Sequence, residues 1–151
     1  MGYTTEEGRT QILDDAAAAV DELSIAITAF SEAYEHLDEQ SGDRMEEILF
    51  RPLQTAYGQL KRTCSEFARR SGLPGREFPP SGQVAPEDPR ATLERAADAI
   101  QAADDTLAEL QDTLLPVEVG DQELRAGLSG TRSVIAPLPG VCDDFIRTLG
   151  R

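Results

Sequence analysis

The sequence predicts an all-α protein, an up-down-up-down four-helix bundle formed by a duplicated helical hairpin. Three observations carry that reading. Apolar residues recur at alternating steps of three and four along four separate stretches, the pattern of a helix with one buried face. Proline and glycine gather between those stretches rather than within most of them. The two halves of the chain also match each other.

Helix one is expected from about Thr5 to Gln40, with Leu13, Ala16, Val20, Leu23, Ile27, Phe30, Tyr34 and Leu37 on its seam. Ser41 and Gly42 end it, and Asp43 with Glu46 three residues later reads as a capping box opening helix two. Helix two, about Asp43 to Ser71, places Phe50, Leu53, Tyr57, Leu60, Cys64 and Phe67 on one face. Pro52 falls late for a first turn and predicts a kink. Residues 72–89 are rich in proline and glycine, so regular structure stops there. Helix three is expected over about Pro89 to Leu115, closed by Pro116. Helix four runs over about Asp121 to Leu149, interrupted by Pro137 and by Pro139-Gly140.

The repeat is visible in two places. Leu13 to Val20 aligns with Leu93 to Ile100, and Cys64-x-x-Phe67-x-Arg69-x-x-Gly72 aligns with Cys142-x-x-Phe145-x-Arg147-x-x-Gly150. The only two cysteines therefore fall on each other. The chain reads as a single domain, residues 1–151, with hairpin one over 5–71, a linker over 72–89 and hairpin two over 90–150. Two hairpins with one apolar face each bury those faces together. The up-down-up-down order brings all outer helix ends to one pole, lays the linker over that pole with Phe78 as a lid, and makes helices two and four diagonal. It also sets Val20, Cys64, Ile100 and Cys142 in one core layer.

Composition narrows the functions. With 28 acidic against 14 basic residues and a formal net charge of -14, the field of the molecule repels nucleic acid and anionic lipid, so neither is expected as a partner. The first ten residues are acidic and polar, no run is long enough to span a membrane, and two isolated cysteines do not make a disulfide scaffold. A cytoplasmic location follows as the expectation.

No constellation singles out a reaction, and no cofactor or metal is expected. His36 stands among Glu35, Asp38, Glu39, Asp43, Glu46 and Glu47, a pole acidic enough to consider a metal-dependent enzyme. A bundle di-metal centre takes Glu-x-x-His on two helices, however, and this chain has one histidine. The leading expectation is a non-enzymatic interaction or assembly protein, its partner another protein or a second copy. Its docking residues are Arg69, Arg76, Phe78 and Arg147 at the linker pole, because a linker longer than its ends require points to function. The second expectation is a bundle that binds a small molecule in a pocket beside Cys64, Ile100, Leu138 and Cys142, where the prolines break helix four.

Overall fold

The structure, a computed structural model, describes residues 4–80, 82 and 88–149. Every regular element among them is helical: α1 (Thr5–Tyr34), α2 (Glu39–Met45), a π-helical turn (Glu46–Phe50), α3 (Arg51–Arg70), α4 (Pro89–Asp112), the short α5 (Leu115–Glu118), α6 (Gln122–Ile135) and α7 (Leu138–Leu149). No helix is long and apolar enough to cross a membrane among these residues.

Local chemistry sets the boundaries. Thr4 and Glu7 form the capping box of α1. The helix stops at Tyr34, six residues before the expected end, because Asp38 caps α2: its Oδ1 accepts the Ser41 amide at 2.8 Å and its Oδ2 accepts the Ser41 hydroxyl at 3.1 Å. The expected start at Asp43 therefore lies inside α2. Asp88 and Asp121 cap α4 and α6 in the same way. Helix α4 ends at Asp112, before Leu115, because Thr113 turns extended (ψ 163°), and Pro116 sits in the first turn of α5 instead of closing α4. The break near Pro137 is present, and it divides the fourth stretch into α6 and α7.

Alanine decides how the hairpins pair. Ala16, Ala19, Ala26, Ala29 and Ala33 of α1 and Ala96, Ala97, Ala99 and Ala103 of α4 are all buried, and α1 with α4 is the most extensive helix pair. Small side chains let two backbones approach closely. The second largest pair is α3 with α6, followed by α4 with α7 and α1 with α3.

Specific contacts fix the directions. Arg9 Nε donates to the Val119 carbonyl at 2.9 Å, so the start of α1 lies beside the chain just beyond the end of α4. Arg70, at the end of α3, bonds Asp121, which caps the start of α6. Cys142 of α7 donates to the Leu93 carbonyl near the start of α4, at 3.4 Å. Neighbouring helices are thus antiparallel, and the order along the chain is up-down-down-up. This corrects the up-down-up-down expectation in two respects. The stretches expected as helices two and four are neighbours rather than diagonal, and residues 71–88 connect opposite poles instead of covering one. The short turns constrain each hairpin alone, and a linker of about eighteen residues leaves the mutual orientation of the hairpins to the packing of their faces.

The described part of the linker nearest α3, residues 71–80, packs against the outside of the helices. Arg76 Nη2 meets Asp14 Oδ1 at 2.6 Å, and Phe78, half-buried against the core, lies with Gly58, Arg62 and Glu66 of α3. Val84 and Arg151 lie outside the described residues.

Candidate functional site

The π-helical turn marks the place where the helical regularity yields. Pro52 lacks an amide hydrogen and its ring would crowd the carbonyl four residues earlier, that of Ile48. Widening the preceding turn relieves this, with the Arg51 amide bonding the Glu46 carbonyl five residues back. Just before Pro52, where the sequence predicts a kink, the structure places this π turn.

Between this turn and the end of α1 lies a cleft of about 390 Å³, lined by Phe30, Ser31, Tyr34, Glu35, Met45, Glu46 and Phe50. Phe30 and Met45 are fully buried beneath it, whereas Tyr34 is 45% exposed. The Tyr34 ring is held from behind by Gly42, where an added Cβ would come within 3.1 Å of it. Glu35 and Glu46 stand at the rim. Glu46 meets Arg51 at 3.9 Å, a long and exposed pair of small energetic value. Close by, the Ser41 amide and hydroxyl hold the Asp38 carboxyl below the usual carboxylate range. The cleft therefore combines aromatic walls with carboxylates, a setting suited to a group that is apolar along its length and positive at its end.

His36 is exposed, and its Nε2 lies 3.3 Å from Glu32 Oε1. No group of three metal-ligating side chains occurs among the described residues.

The residues singled out in the sequence are placed as follows. Cys64, Ile100, Leu138 and Cys142 are all buried, but the two thiols lie toward opposite ends of the bundle. Cys64 is two turns from the end of α3, and Cys142 is beside the start of α4. The shared layer is thus corrected, because inverting the second hairpin carries its cysteine to the other pole. Burial pushes both thiols up to about 12; the positive charge of Arg76 partly opposes this at Cys64, and Asp143 and Glu94 add to it at Cys142. Arg76 pairs with Asp14 of α1, and Phe78 lies beside α3. Arg69 and Arg147 are exposed and lie at opposite poles, so the four do not form one patch. Arg147 pairs locally with Asp144 at 3.1 Å.

Sequence reasoning placed Phe30, Tyr34 and Phe50 on the core seam and missed the cleft they line. The available signal was Pro52 together with Asp38-x-x-Ser41, which moves the turn ahead of Tyr34's expected partners.

Comparison of the chain with known protein families, curated proteins and solved structures finds no match.

Proposed function

We infer that this chain is a non-enzymatic interaction protein that receives a protein partner at the cleft between α1 and the π-helical turn. One observation carries the reading: aromatic side chains line an open cleft at the one place where the described helices depart from α-geometry to a π turn, a feature frequent at functional sites. The thiols, held protonated by burial, serve as core filler rather than as nucleophiles, which agrees with a recognition role. The two hairpins are read as copies of one ancestral hairpin facing each other across an approximate two-fold axis. Their matched cysteines and phenylalanines, Cys64 with Cys142 and Phe67 with Phe145, are all buried, as such a relation requires. Free buried thiols fit a reducing, cytoplasmic setting.

A photo-cross-linking amino acid at position 34, compared with one at exposed Asp98 on α4, tests the proposal in the source cell. A discrete protein adduct specific to position 34 is expected. Equal labelling from both positions would remove the cleft as a docking site.

A second reading is favoured by the cleft's size, which falls within the range of small-molecule pockets. On that reading native mass spectrometry of the purified protein detects a bound small molecule that Phe50→Ala removes.

A further inference from the structure

We propose that the occupant of this cleft is an arginine side chain presented by a basic segment of the protein partner. The inference rests on the docking reading above and names the chemistry of the partner.

The argument starts from what the cleft offers. Its accessible apolar surface, Tyr34 at 45% exposure and half-buried Phe50 above the buried Phe30 and Met45, receives a methylene stem. Tyr34 and Phe50 present aromatic rings, and a guanidinium stacks on such rings while losing less hydration than an ammonium. Glu35 on α1 and Glu46 on the π turn bring carboxylates from two elements to the same opening, and carboxylates accept the guanidinium's fork of donors. A neutral apolar occupant would leave both acids without use, and an anionic one would meet repulsion. Arg51 holds Glu46 only at 3.9 Å, so an incoming guanidinium competes with a weak, solvent-screened pair.

Long-range charge points the same way. The chain's net charge of -14 attracts a basic segment and raises its encounter rate. The surroundings of the cleft share that sign, with Glu32, Asp38 and Glu39 close along the chain. The nearby cations Arg44 and Arg51 do not reverse it. A basic protein segment fits better than a free small cation, because the cleft is open on one side and an extended backbone can cross it while one side chain enters.

The test uses the intact protein and two short peptides of identical sequence, one with a central arginine and one with citrulline, its neutral isostere. Amide chemical shifts are followed by NMR, with n-butylguanidinium as a third probe. Saturable binding of the arginine peptide is expected, with shifts centred on Ser31, Glu35 and Glu46. Citrulline, or the Glu35→Gln/Glu46→Gln double variant, should weaken it about tenfold or more. The double variant should retain the parent's melting temperature, since both positions lie at the surface.

Equal affinity for the citrulline peptide would overturn the arginine assignment and leave the docking reading standing. Binding of n-butylguanidinium without the arginine peptide would overturn the protein source in favour of a small cation. Absence of binding by all three probes overturns the arginine assignment; the docking reading falls with it only if position 34 also gives no specific adduct.

Discussion

Arg132 of α6 grips Asp104 of α4 through two nitrogens, Nε to Oδ1 at 2.8 Å and Nη2 to Oδ2 at 3.3 Å, while its Nη1 donates to Gln111 Oε1 at 2.9 Å. Asp104 is 8% exposed, so its charge is largely removed from water and depends on this partner. Replacing Asp104 with Ala is expected to lower stability by about 2 kcal/mol, between the values typical of exposed and of buried pairs. Urea denaturation measures it, and a change below a few tenths would show that the pair only decorates the α4–α6 interface.

A second prediction concerns a tight contact between α3 and α6. A Cβ at Gly127 of α6 would lie 2.6 Å from Thr63 Cγ2 and 2.9 Å from Thr63 Cβ, in a buried, β-branched side chain that cannot swing aside. Gly127→Ala should therefore cost about 1–3 kcal/mol through overpacking, against the gain of up to about 1 kcal/mol that alanine brings to a helix. Gly140→Ala is the control. Nothing lies within 4 Å of its added Cβ, and it should raise the melting temperature.

The thiols give a third. Both are buried and pushed up to about 12, so neither forms thiolate at neutral pH. Labelling with a thiol reagent should be slow in the native protein and become complete in denaturant. Fast native labelling of Cys64 alone would mean that the linker carrying Arg76 lifts away.

Acid stability supplies the fourth. Arg70 holds the Asp121 carboxyl below its ordinary range, chiefly by the hydrogen bonds between them. A depressed carboxyl contributes stability that is present above its unfolded value and is lost as pH falls through the folded one. The contribution should thus begin to fall near the ordinary carboxylate value of about 4 and be lost only in stronger acid. Arg70→Gln should lower the melting temperature at pH 7 and converge with the parent in strong acid. A constant difference at every pH would assign the effect to packing.

The linker yields the fifth. Phe78 is only half-buried, so Phe78→Ala is expected to cost about 1–2 kcal/mol, less than emptying a core position. Loss of several kcal/mol would make it a core residue in energetic terms.

These expectations rest on features that the sequence discloses unequally. The helical nature of all four stretches is legible because each carries its own periodicity, and Asp88 and Asp121 announce their helix starts. Leu37 continues the heptad pattern of α1 beyond the helix's end at Tyr34, since Asp38 and Ser41 close a competing cap whose strength the pattern does not weigh. Of the alanines at 16, 19, 26 and 29 only Ala16 falls on the expected seam, yet all four are buried, and α4 is the helix with which α1 packs most extensively. The orientation of the hairpins was out of reach for the same reason: it depends on which faces fit best, and hairpin turns carry no record of that. The cleft depended on the backbone's response to Pro52, a π turn that the spacing of apolar residues does not record.

The crossing linker also makes this chain a tethered system. Helix α4, with 24 residues, is about 36 Å long. A connection cut to about six residues reaches at most ~21 Å and cannot join the two poles. Hairpin two could then no longer close onto its own hairpin one in the native orientation, and the same two faces would find each other between molecules. In its full length the tether keeps the second hairpin at an effective concentration on the millimolar scale around the first, which disfavours exchange in a dilute cell. Tether length, rather than any interface residue, thus sets whether the same packed faces yield one folded molecule or an intertwined pair.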